Sequence, residues 1–233
     1  MASVPSRMLL SAKMEAVEIG NAILTALQID TNATPSSELE NIATTVTKKE
    51  STSADEVIKA HTGTHGSVCF VVRRPGWILC REQGKSLTDL KLAADSPLDG
   101  FELFGTVKEI GVDDEGLTEF YKSYFPFPLY KDDKLFFYNE FYGRRKMKFT
   151  TYNPFRLYRG YKSMMSRIGK KDGLEGNMKG EGYVQGGIII FGKDGKPKYA
   201  YEEETGKDIP EDDIIAAVNA VKAQNSKSKA GEL

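Results

Sequence analysis

Residues 67–81 read SVCFVVRRPGWILCR, and the change of character halfway along this stretch sets the expected architecture. Val68, Cys69, Phe70, Val71 and Val72 form a short run of β-branched and aromatic residues with the composition of a buried strand. Arg73, Arg74, Pro75 and Gly76 end it, because proline has no N–H to give a ladder and glycine turns the chain cheaply. From about Trp77 the spacing of Leu79, Leu87, Leu90 and Ala94 predicts a helix. Cys80 then falls in the first turn of a helix that follows a strand. Unpaired N–H groups at a helix start carry roughly half a positive charge, which favours an anion, and the thiolate is the nucleophilic form of cysteine. Arg73, Arg74 and Arg81 add positive charge nearby. Cys80 is therefore the candidate reactive thiol, weighed against the usual place of a free cysteine as a small buried hydrophobe.

Working outward, Phe101–Ile110 reads as a second strand and Gly116–Tyr124 as a short helix. Tyr183–Phe191 is the strongest strand signal in the chain, and KDGK at 193–196 turns it back into Lys198–Glu203. Ile209-Pro210 opens a closing helix with Ile214, Ile215, Val218 and Val221 on its apolar face. Strand, helix, strand is a βαβ unit, which needs parallel strands; the hairpin and last helix complete it. The expected fold is α/β, a mixed central sheet with helices on both faces. Asn153 and Pro154 start a further helix to about Ile168, whereas Lys131–Phe149 gives no clear assignment.

On the N-terminal side, Met8–Ile29 reads as an amphipathic helix, followed by a loosely packed connection from Asp30 to Ala54 with one strand at 41–47. The organisation expected is an extension at 1–66, a domain at 67–222 and a frayed polar tail at 223–233. Residues 1–13 carry Arg7, Lys13, serines and no acid, a faint organelle-targeting composition that Glu15 and Glu18 interrupt. A cytoplasmic protein is the first expectation and an organelle the alternative.

Composition excludes several classes. The 233 residues carry a net charge of −1, which speaks against a nucleic-acid partner for the whole surface. No apolar run approaches the ~20 residues of a membrane span. Two cysteines without paired spacing fit a reducing compartment rather than a disulfide scaffold. His61 and His65, in HTGTHG, lie in a turn with no third ligand, so they read as solvated loop histidines and no metal is expected. No glycine-rich dinucleotide fingerprint follows a strand, and no cofactor is expected.

RRPGWILCRE (73–82), VKE (107–109), GRRKMKF (143–149) and LEGNMKGEGYVQGGIIIFGKDG (174–195) together resemble the peroxiredoxin-like 2 family, a thioredoxin-like group related to the AhpC/TSA antioxidant proteins. The resemblance covers about Ser67–Lys222 and implies a thioredoxin-like fold with thiol redox chemistry. That family commonly has Arg-Arg-Pro-Gly-Cys-x-x-Cys, and this chain matches only the second cysteine, at Cys80. Trp77 stands at the first. Gln185, Gly186 and Gly187 occupy the place where thioredoxins have a cis-proline. Cys69 lies in the middle of the preceding strand, three extended residues or about 10 Å from its end, beyond the ~7 Å a disulfide tolerates. It reads as a core residue.

Two functions follow as expectations. In the first, Cys80 reduces a hydroperoxide and becomes a sulfenic acid, which an external thiol such as glutathione or a thioredoxin reduces. Arg73 and Arg74 lower its pKa, and Trp77 and Gln185 line the substrate side. In the alternative, the chain is a non-catalytic thioredoxin-like binding or regulatory module. A weak membrane-surface contact through 154–168 is a further expectation, from ten Lys or Arg and no acid between Arg144 and Lys171.

Overall fold

The computed structural model describes residues 22–30, 46–142, 153–155, 158–159, 162, 166, 174–203 and 208–230. Its strands are β1 (Ile23–Ile29), β2 (Val46–Ser53), β3 (Gly66–Val71), β4 (Phe101–Val107), β5 (Leu129–Asp132), β6 (Gly187–Gly192) and β7 (Pro197–Glu202). The helices are α1 (Ala54–Ala60), α2 (Ile78–Leu92), α3 (Asp114–Ser123), α4 (Phe136–Glu140) and α5 (Glu211–Ala230). Among the described residues, these seven strands join one sheet in the order β2-β1-β5-β4-β3-β6-β7.

β3 is buried along its whole length, which explains its unbroken apolar run. It pairs in parallel with β4 and antiparallel with β6, so both of its backbone edges are satisfied. Alternate side chains reach opposite faces of the sheet. Val68 and Phe70 join a core with Leu79, Leu87, Phe120 and, from α5, Ile214, Val218 and Val221. Cys69 and Val71 join another with Val57, Ile58, Phe137 and Tyr138. Helices α2, α3 and α5 thus cover one face while α1 and α4 cover the other, giving the mixed sheet expected. The βαβ unit is β3–α2–β4, and the hairpin is β6–β7, closed by Gly195 N–H donating to Gly192 O (2.9 Å) at a left-handed glycine.

Three readings change. The end of the supposed helix at Met8–Ile29 is a strand: β1 lies between β2 and β5, and pairing on both sides outweighs the apolar spacing of Leu24 and Leu27. Residues 8–21 of that segment lie outside the described residues, as do 31–45. The Thr/Ser-rich connection supplies β2 and, through a capping box at Ser53 and Glu56, helix α1. The polar C-terminal segment continues helix α5 to Ala230 instead of fraying after Ala223. Within the unassigned stretch, buried Asp132 ends β5 and accepts from Phe136 N–H and Phe137 N–H (both 2.8 Å), which starts α4.

The histidines are not simply solvated. His61 ends α1, is half-buried against Phe104 and meets Tyr130 Oη at 2.7 Å. Burial lowers its pKa. From 154–168, the described residues Pro154, Phe155, Tyr158, Arg159, Lys162 and Ser166 are helical and exposed, with Asn153 Oδ1 accepting from Phe155 N–H (3.0 Å). Leu157, Tyr161, Met164, Met165 and Ile168 of the same stretch lie outside the described residues. Among the described residues, no helix is long and apolar enough to cross a membrane.

Candidate functional site

Trp77 is the N-cap of α2 and Cys80 its third residue, reached from β3 through a turn in which Trp77 N–H donates to Arg74 O (3.1 Å). The sequence therefore places the thiol at the helix start. Its surroundings reverse the expected chemistry.

Cys80 is completely buried. Burial, and then the Glu203 carboxylate, push its pKa up to about 12, against a smaller opposing pull from the backbone N–H groups of Arg74 and Arg73 and the Arg73 guanidinium. In this conformation the sulfur is a neutral thiol at physiological pH. Cys69 is equally buried but belongs to the core on the opposite face of the sheet, and both cysteines are free. The sheet itself separates them.

What covers the motif is a strap, Leu174–Gly186, laid across the start of α2 and held by three guanidinium groups through its carbonyl oxygens. Arg73 Nε donates to Gly182 O (2.6 Å), Arg74 Nη1 to Met178 O (3.0 Å) and Arg81 Nη1 to Glu175 O (2.8 Å). Arg73 also pairs with buried Glu203 at 3.1 Å, and Arg81 with Glu119 at 2.6 Å. Burial raises the Glu203 pKa, and the ion pair with Arg73 offsets part of the rise. The arginines thus bind the strap and balance an internal carboxylate, with the thiol as a neighbour.

Trp77 lies under the same cluster. The Arg73 guanidinium sits 4.3 Å from its ring centroid and that of Arg74 5.8 Å away, a cation–π arrangement that leaves the indole 9% exposed. Gln185 is buried at the end of the strap, just before β6. Next to it, Gly186 O accepts from Glu203 N–H (3.0 Å).

Sequence reasoning missed the groups that complete this arrangement. Lys108, at the end of β4, pairs with Glu181 of the strap and donates to Val184 O (3.2 Å); burial lowers its pKa, while Glu181 opposes that shift. Glu109 accepts from Glu181 N–H (2.7 Å). Asp113 caps α3 through Gly116 N–H (3.2 Å) and receives Asn177 Nδ2 (2.9 Å), while Asn177 N–H donates to Gly76 O (2.7 Å). One signal was visible: a Cβ at Gly182 would fall within the Arg74 guanidinium, and one at Gly186 on the Val71 carbonyl. The glycines of 176–187 mark a chain pressed against its neighbours.

A family model described as AhpC/TSA antioxidant enzyme matches residues 86–205. Peroxiredoxin-like 2A of Mus musculus is 33% identical over 175 residues, covering 70% of this chain and 71% of the relative. The Homo sapiens protein of the same name is 32% identical over 178 residues, covering 71% and 68%. Among solved structures, Mycobacterium tuberculosis AhpC aligns with 89% of this chain and 94% of its own at 12% identity and a TM-score of 0.45. With the family model matching half of its length and peroxiredoxin-like 2A relatives aligned along more than two thirds, the chain belongs to the AhpC/TSA antioxidant family and to its peroxiredoxin-like 2 members.

Proposed function

We propose that this chain is a non-catalytic member of its family, a binding or regulatory module that keeps the peroxiredoxin-like scaffold while its remaining motif thiol serves the core. The observation that carries this reading is the burial of Cys80: its side chain is fully enclosed, which pushes its pKa up to about 12, in a motif whose three arginines hold the strap. A peroxide-reducing cysteine needs a thiolate that its substrate can reach. The resemblance of 73–82 to a two-cysteine motif puts Trp77 where the first thiol would be. There the indole forms a cation–π contact with Arg73 and carries no nucleophile.

The test is the rate of Cys80 alkylation against pH, read by mass spectrometry on the native protein. The module reading expects labelling far slower than that of the urea-unfolded chain, with no plateau below pH 10. A plateau near neutral pH would overturn it.

A second reading rests on one observation. Backbone N–H groups of Arg73 and Arg74 interact with Cys80 so as to stabilise its charged form, an arrangement suited to a thiolate once the strap lifts. In that case Cys80 attacks a hydroperoxide, the O–O bond breaks, an alcohol leaves and the resulting sulfenic acid is reduced by an external thiol. Stopped-flow comparison of the native chain with Cys80→Ser separates the two: a fast peroxide-dependent phase lost in the variant supports the second, and identical slow traces support the first.

A further inference from the structure

Met178 stands out from the rest of the strap. Its side chain is 72% exposed, yet its sulfur lies 3.7 Å from Nη1 of Arg74, the same nitrogen that donates to Met178 O at 3.0 Å. Arg74 itself is only 9% exposed, and its Nε is buried without a hydrogen-bond partner among the described residues. The guanidinium cannot swing away easily, because it packs against the face of Gly182, where even a Cβ would overlap it. An accessible thioether therefore stands beside a fixed cation whose Nη1 it already meets. A thioether is a weak acceptor, whereas a sulfoxide carries a strongly polar oxygen one bond further out.

We propose that Met178 is an oxidation site whose sulfoxide oxygen is captured by the Arg74 guanidinium, so that oxidation fastens the strap more firmly over the motif. In the reaction the sulfur lone pair attacks the outer oxygen of a hydroperoxide. An S–O bond forms, the O–O bond breaks and sulfur gives up two electrons. The proton on the transferred oxygen passes to the departing alkoxide, which leaves as an alcohol, or as water when the oxidant is hydrogen peroxide. The captured oxygen then accepts a charge-assisted hydrogen bond in place of the weak N–H···S contact. This is the reverse of the usual result of methionine oxidation, which loosens what it touches.

The experiment treats the full chain with hydrogen peroxide, identifies oxidised methionines by peptide mass spectrometry and follows amide hydrogen exchange over residues 174–186. The expected result is sulfoxide at Met178 with strap exchange slowed about tenfold, and no slowing in Met178→Leu given the same dose. Strap exchange that is unchanged or faster after Met178 is oxidised overturns the proposal. So does equal slowing in Met178→Leu, or a Met178 that stays reduced at a dose that oxidises a free Gly-Asn-Met-Lys-Gly peptide. The readout is independent of Cys80, which both chains carry, and so of the module reading.

Discussion

Arg73 Nη1 lies 3.1 Å from Glu203 Oε1, and both side chains are almost wholly out of contact with water. Removing one member strands a buried charge. Arg73→Met is expected to cost about 3–5 kcal/mol in urea unfolding, while pairing it with Glu203→Leu recovers most of that loss. A double variant no more stable than Arg73→Met would show that the pair does not act as a unit. Because burial raises the Glu203 pKa, the native state holds that proton to higher pH than the unfolded chain does. The Glu203 contribution is therefore greatest below the ordinary value of 4.5 and weakens as pH rises through the raised one. Glu203→Gln should flatten that part of the stability curve.

Asp133 behaves in the opposite sense. Hydrogen bonds from Lys131 and from Thr25 hold its carboxyl down at about 2, against an ordinary 3.8. Between those values the unfolded chain binds more protons, so this stabilising contribution is present above pH 3.8 and is lost as pH falls through about 2. Asp133→Asn should lose less of its melting temperature between pH 4 and pH 2 than the native protein does. Parallel acid curves would exclude the effect.

Trp77→Cys tests how much of the thiol chemistry the scaffold still supports. The substitution removes the indole beneath Arg73 and puts a thiol at the N-cap of α2, three residues before Cys80. We expect the new thiol to alkylate rapidly at neutral pH and to form a disulfide with Cys80 under mild oxidant, both detected by mass spectrometry. Trp77 is the sole tryptophan in the chain, so loss of its fluorescence confirms the exchange. Slow labelling of both thiols would show that position 77 is shielded from solvent as Cys80 is.

Two glycine substitutions distinguish crowding from backbone strain. A methyl group at Gly186 would meet the Val71 carbonyl of the central strand, which cannot yield without breaking the sheet, so Gly186→Ala should cost at least about 3 kcal/mol. Gly111 has a left-handed φ of +80° but nothing within 4 Å of an added Cβ. There the cost is conformational alone, about 1–2 kcal/mol. Similar urea midpoints for the two variants would contradict this assignment.

Local chemistry explains what could be read in advance. β3, the break at Arg73–Gly76, α2, β4 and the β6–β7 hairpin each combine a period, a turn residue and a boundary within a few positions. β1 and β2 were hidden because their strand character comes from pairing: Thr47, Lys48, Lys49 and Glu50 have no apolar face to betray a strand. β5 has only four residues, too few to show alternation. At the motif, position was legible and environment was not. Charge counting sent Arg73, Arg74 and Arg81 towards the thiol, but a guanidinium seeks oxygen acceptors in a fixed geometry, and the strap offers carbonyls about a hundred residues further along the chain. Burial then dominated the electrostatics of Cys80.

The outer border of the sheet has a consequence for how the protein behaves in crowded solution. Among the described residues, β2 closes one side of the seven-stranded sheet and turns Lys48, Lys49 and Glu50 to the solvent. A neighbouring molecule trying to extend the ladder there would have to strip water from those charges, a barrier to fibril-like stacking that an apolar rim would lack.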